Sequence, residues 1–308
     1  MKRIFVVSVM AIILLMPLIG AVNLTKSDED NQELVKNIST YDFTHTVLVE
    51  YASKSTCPHC PTASSQLYSI YDSGDYPFYY VTMVTDKIAS LPLGAQSRIY
   101  PRINELGVEY IPDVYFDGGL IQLTGKQSDE QPYRDSIIQS GERAVPDIDV
   151  SVNVDWIGIG IIKISVTVQD NEVEKYEGKL RVYVTKIESE WTDALDNPYH
   201  YTVLDIPVDK SLTVVHQNVK KQDIQNQDLE GSYTFTKIWA GDITKDNCMV
   251  VAAVFDKDTD YAVQAASAFP SSANTFDKIN NDLPFSTFFK LLEKFSTTFQ
   301  LIRNIIFQ

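Results

Sequence analysis

A Cys-x-x-Cys set directly behind a β-prone run constrains this chain more than any other feature. Cys57-Pro58-His59-Cys60 follows Thr46-Val47-Leu48-Val49-Glu50-Tyr51. A strand ending in such a pair, with a helix opening behind it, is the arrangement of a dithiol redox site. The strand end holds the first sulfur at the surface. The helix N-terminus offers unpaired N–H groups and partial positive charge, which favour a thiolate over a thiol. The thiolate is the nucleophile of disulfide exchange, so Cys57 is the expected attacking atom and Cys60 the resolving one. Pro58 has no N–H to leave unbonded in a first helical turn. His59 can add positive charge or a donor toward Cys57. Both effects lower the thiol pKa and stabilise the reduced form, which makes the disulfide a better oxidant. The competing chemistry is a zinc half-site, which needs two further ligands at suitable spacing. Beyond the pair the chain has only Cys248, while His45, His200 and His216 stand alone. The residues therefore favour redox chemistry without a metal or an organic cofactor.

This stretch resembles the active-site region of thioredoxin-like proteins, and the central Pro58-His59 pair is similar to that of DsbA-type oxidases. Farther on, the run from Gly107 through Ile111-Pro112-Asp113-Val114-Tyr115-Phe116 to Gly118 resembles the second thioredoxin signature. The resemblance implies that Pro112 is a cis-proline facing the disulfide and helping to hold a substrate chain. It implies that Glu50 is the buried acid assisting proton transfer to Cys60, with one more residue between Glu50 and Cys57 than the family spacing. Thr56 stands where an aromatic residue often precedes the motif. The implied activity is protein disulfide oxidoreduction. The implied partners are protein thiols or disulfides and a redox partner protein.

The patterning agrees. Ala63, Leu67, Ile70 and Tyr71 recur at helical spacing, and Ser73-Gly74-Asp75 ends that helix. Phe78 to Val84 reads as a strand, Ile99 to Leu106 as a helix stopped by Gly107, and Val114 to Leu123 as a hairpin turning at Asp117-Gly118-Gly119. Glu130 to Ser140 reads as a closing helix. Strands interleaved with helices predict an α/β thioredoxin-like domain over 41–145. Past Pro146 the pattern changes to short strands with alternating apolar residues, such as Ile148, Val150, Val152 and Val154, or Ile162, Ile164, Val166 and Val168. These predict an all-β immunoglobulin-like sandwich of about seven strands over 146–270. A thioredoxin-like domain followed by such a sandwich resembles exported two-domain proteins related to outer-membrane lipoproteins. Cys248 enters a buried-looking strand as an inert thiol. Asp256-Lys257-Asp258-Thr259-Asp260 reads as a hairpin turn, since it lacks the glycine and glutamate of a calcium loop.

The ends of the chain bear on compartment. Lys2 and Arg3 precede an apolar segment closing on Gly20 and Ala21, the pattern of a signal peptide over 1–22; the alternative is an uncleaved anchor. A polar spacer follows over 23–40. A linker over 271–284 leads to an amphipathic helix over 285–308, fit either for a membrane surface or partner or for folding back on the sandwich. The net charge of −15 argues against nucleic acid and against anionic lipid. The expectation is an exported, extracytoplasmic thiol–disulfide oxidoreductase, with attachment to the outer face of a membrane as an option. The alternative is an extracellular binding or adhesion protein whose thioredoxin-like domain is vestigial or structural.

Overall fold

The computed structural model describes residues 41–172, 175–214 and 232–272. The expected signal peptide, the spacer, the amphipathic helix, His216 and nearly all of the linker lie outside the described residues.

The first part alternates strand and helix, as the patterning indicates. Strand β1 (Val47–Ser53) leads through the Cys-x-x-Cys turn into helix α1 (Cys60–Ser73). Strand β2 (Phe78–Val84) follows, then helix α2 (Leu93–Glu105), the hairpin β3 (Asp113–Phe116) and β4 (Ile121–Thr124), and helix α3 (Gln131–Gly141). β1 pairs parallel with β2 and antiparallel with β3. Helix α1 ends because Gly74 takes the left-handed conformation, φ 66°, open to glycine without steric cost. Its Ala63, Leu67 and Ile70 are buried.

Helix α2 differs from expectation. It starts at Leu93, not Ile99, and runs through Pro101. An internal proline costs about 3 kcal/mol, so tertiary contacts must offset it. Arg98 and Arg102 bracket Pro101; Arg98 binds Asp205 through two 2.7 Å hydrogen bonds, and Arg102 is buried against Glu50.

The strands expected beyond Pro146 are present: β5 (Ile148–Gly158), β6 (Ile161–Asp170), β7 (Tyr176–Thr192), β8 (Pro198–Val214), β9 (Ser232–Ala240), β10 (Met249–Asp256), β11 (Ala262–Ala268) and the short β12 (Ser271–Ser272). They do not make two sheets of their own. β8 pairs with β2 at Thr82 and Thr202, so one sheet runs β11-β10-β7-β8-β2-β1-β3-β4 through both parts of the chain. The second sheet is β12-β5-β6-β9. The sheet curls until β11 returns to the start of β1: the Thr46 N–H donates to Gln264 Oε1 at 2.9 Å, and the Ala262 N–H to the Asp117 carbonyl at 3.0 Å.

Two cores result. The first joins β1, β2, β3 and α1 to Tyr183, Tyr199, Met249, Val251 and Phe255. The second lies between the two sheets and takes the alternate residues Val182, Val184, Val250, Ala252 and Val254. Strand β10 is therefore buried on both faces. That is why Met249 to Phe255 is a continuous apolar run, not an alternating one. A strand with two apolar faces needs a layer on each side, and the α/β part supplies one of them.

Candidate active site

Cys57 and Cys60 form a disulfide at the junction of β1 and α1. The helix begins at Cys60, with Pro61 in its first turn. Pro58 and His59 thus precede the helix, in an exposed turn, and His59 is the N-cap without a side-chain capping bond. The proline in the first helical turn is Pro61, not Pro58; it has no N–H to leave unpaired there. The turn is fixed by the Cys57 N–H, which donates to the Lys54 carbonyl at 3.0 Å, and by Asp86, which accepts from Ser55.

The two sulfurs are unequal. Cys57 keeps 8 % of its surface accessible and Cys60 none. Cys57 is thus more enclosed than a simple strand-end position implies, yet it is the more exposed of the two cysteines. The Cys60 N–H points at Cys57 Sγ at 3.1 Å. In the reduced protein that N–H would stabilise a Cys57 thiolate, since a donor to the charged form favours it. The peptide bond Ile111–Pro112 is cis, and the Ile111 carbonyl oxygen lies 3.8 Å from Cys57 Sγ. The structure therefore brings together Cys57, Cys60 and the Ile111–Pro112 segment, with Pro58 and His59 on the open side.

Glu50 is not part of that group. Alternate residues of a strand face opposite sides, and Glu50 sends its carboxylate toward α2. It accepts from Arg102 Nε at 2.7 Å, Arg102 Nη2 at 2.5 Å and the Tyr183 hydroxyl at 2.6 Å. Burial by itself pushes this carboxyl up, but the Arg102 charge and hydrogen bonds, with help from Arg181 and Tyr183, hold it below the usual range. Arg102 also reaches Glu105, which pairs with Arg181; Arg181 pairs in turn with Asp209, and the Phe255 ring lies 5.0 and 4.8 Å from the two guanidinium carbons. Glu50 is thus the buried end of an ion network joining β1 and α2 to β7, β8 and β10.

The side chain under Cys60 is the next residue, Tyr51. Its ring is wholly buried and its hydroxyl donates to the Cys60 carbonyl at 3.1 Å. The sequence carried a parity signal for this: one extra residue between Glu50 and Cys57 turns the strand's other face to the motif.

The remaining residues singled out in the sequence serve packing. Cys248 is fully buried, and burial pushes its thiol up to about 12. His45 is buried with Nε2 2.8 Å from Asp117 Oδ2, a pairing the sequence did not reveal because the partners are distant in the chain. His200 stacks on Tyr68, ring centroids 3.8 Å apart. Trp239 is buried and donates to Asp205 at 2.8 Å. Asp256 accepts from the Asp258 and Thr259 amides in the β10–β11 turn. Among the described residues no group of three or more His, Cys, Asp or Glu is placed to hold a metal ion, and no helix is long and apolar enough to cross a membrane.

No protein-family model matches the chain, and no curated protein matches it either. Among solved structures it is similar to HBP35 of Porphyromonas gingivalis, with a TM-score of 0.56 and 14 % identity over 76 % of this chain and 79 % of that one. At that identity the likeness shows a shared fold and nothing more. A protein from Agrobacterium tumefaciens aligns at 16 % identity and TM-score 0.44, covering 75 % of this chain and 96 % of that one. A domain of the outer membrane lipoprotein Omp28 from Porphyromonas gingivalis aligns at 10 % identity and TM-score 0.25, covering 42 % and 92 %. Both superpose too loosely to carry an argument.

Proposed function

We propose that this protein is an exported thiol–disulfide oxidoreductase whose thioredoxin-like part exchanges disulfides with protein clients through Cys57 and Cys60. The observation that carries the reading is the asymmetry of the pair: only Cys57 is accessible, and the Cys60 N–H is aimed at its sulfur. Export rests on the charged and apolar segment at the start of the sequence. An exported protein works where disulfides persist.

From the disulfide form, a client thiolate attacks Cys57 Sγ. The S–S bond breaks, Cys60 leaves as a thiolate and takes up a proton, and Cys57 is joined to the client. A second client thiolate then displaces Cys57, so the client gains a disulfide and the protein keeps two thiols. The reverse sequence reduces a client. The redox poise of the partner protein sets the direction.

The test is catalysed disulfide formation in a reduced, unfolded substrate protein with glutathione disulfide as the oxidant, which is reduced to two glutathione thiols. Wild type and Cys248→Ala are expected to catalyse it equally, and Cys57→Ser to fall to the uncatalysed rate. Activity that survives Cys57→Ser would overturn the reading.

A further inference from the structure

We propose that Tyr51 is the positioning residue of the Cys57–Cys60 site. The inference rests on the dithiol reading above and adds what aims the pair.

One residue, Cys60, is held from both sides. Its N–H points at Cys57 Sγ at 3.1 Å, and its carbonyl accepts from the Tyr51 hydroxyl at 3.1 Å. Pro58 and Pro61 carry no N–H, so the donors around Cys57 are few and the Cys60 amide carries more of the work. When the disulfide opens, that N–H faces a thiolate and the bond becomes charge-assisted, about twice as strong as a neutral one. Its strength depends on where the first turn of α1 sits, and the Tyr51 hydroxyl is the side-chain group that pins this turn to β1.

Two residues on from Tyr51 along the same face of β1, the Ser53 hydroxyl donates to the Tyr199 hydroxyl at 2.9 Å. Ser53 and Tyr199 are both fully buried. Tyr199 stands at the start of β8, just before the pairing of Thr202 with Thr82. One face of β1 therefore meets the Cys60 carbonyl through Tyr51 and the start of β8 through Ser53. Burial holds the Tyr51 phenol well above its ordinary value, so it is a neutral donor at neutral pH.

The test uses the full chain and two readouts that a purely structural role leaves unmoved: the Cys57 pKa by alkylation rate, and the Cys57–Cys60 potential by equilibration with glutathione. Tyr51→Phe keeps the ring and removes the donor. It is expected to raise the Cys57 pKa and to shift the potential by about 15–30 mV to more negative values, a three- to tenfold change in the equilibrium constant. Ser53→Ala and Tyr199→Phe, which leave the Tyr51–Cys60 bond in place, are expected to leave both values unchanged, and Tyr51→Met, which also lacks the donor, carries the test if Tyr51→Phe does not fold. A lower melting temperature with unchanged pKa and potential in the Tyr51 variant, or an equal shift in Ser53→Ala, would overturn the proposal. Glutathione equilibration needs no client, so wild type failing to turn over a client would sink the enzyme reading while leaving this one to be judged on its own.

Discussion

A Cys60→Ser variant is expected to accumulate covalent adducts with client proteins, and a Cys57→Ser variant to accumulate none. The reason is the unequal burial of the two sulfurs. Cys57 retains exposed surface and Cys60 none, so on the proposed reading every mixed disulfide is expected to form at Cys57. In the native protein Cys60 then displaces the client from within the same chain. An intramolecular thiol acts at an effective concentration far above that of free thiols, which makes release on the order of a hundredfold faster or more. Serine cannot do this. Cys248 cannot substitute, since it is sealed in the second core with its thiol pushed up to about 12. Non-reducing electrophoresis of each variant, recovered from its native compartment, reads the outcome. Equal trapping by both variants, or trapping by neither, counts against the roles assigned to the two cysteines.

Arg102→Met is expected to cost about 3–5 kcal/mol, because it removes the one cation hydrogen-bonded to the buried Glu50 carboxylate and leaves only the unbonded charge of Arg181 nearby. At roughly 2–4 °C per kcal/mol for a chain of this size, the melting temperature should drop by about 6–20 °C. The loss should depend on pH in a defined direction. The folded protein holds the Glu50 carboxyl below its ordinary value of 4.5. A carboxyl depressed in the folded state adds stability that is fully present above its unfolded pKa and is lost as pH falls through the folded one. Wild type therefore loses the contribution of Glu50 on acidification below about pH 4.3. In the variant Glu50 keeps only the weaker help of Arg181 and Tyr183 for its charged form and takes up a proton at higher pH. The gap between the two proteins should be widest near neutrality and narrow in acid. A gap that does not change with pH would show that Glu50 and Arg102 do not couple as the geometry requires. Both proteins should melt in one transition, because the first core draws on both parts of the chain; two separate transitions would contradict a shared core.

Much of the site was legible because its signals are local. A β-prone run, a Cys-x-x-Cys and a helix with Gly74 at its end fall within one stretch, and β1, α1, β2 and the β3–β4 hairpin form where local patterning puts them. What escaped depends on contacts across the chain. Glu50 has the right chemistry for a proton-transfer acid, but the strand's alternation turns it toward Arg102, and nothing near Glu50 in the sequence reveals a cation half a domain away. The start of α2 was hidden by Pro101, whose local penalty is outweighed by Arg98 and Arg102 reaching opposite partners. The continuous sheet was the largest omission. Its one sequence signal was Met249 to Phe255, apolar at every position where a strand with one solvent face would alternate.

The central claim is that Cys57–Cys60 is a working redox couple and not a structural crosslink. Its reduction potential, measured on the full chain by equilibration with glutathione, tests this most directly. Structural disulfides lie below about −300 mV. Stabilisation of the reduced form by the Cys60 N–H and the helix start is expected to hold this couple well above that value, within reach of the glutathione pool. A potential at or below about −300 mV would contradict the account and leave the pair as a structural disulfide.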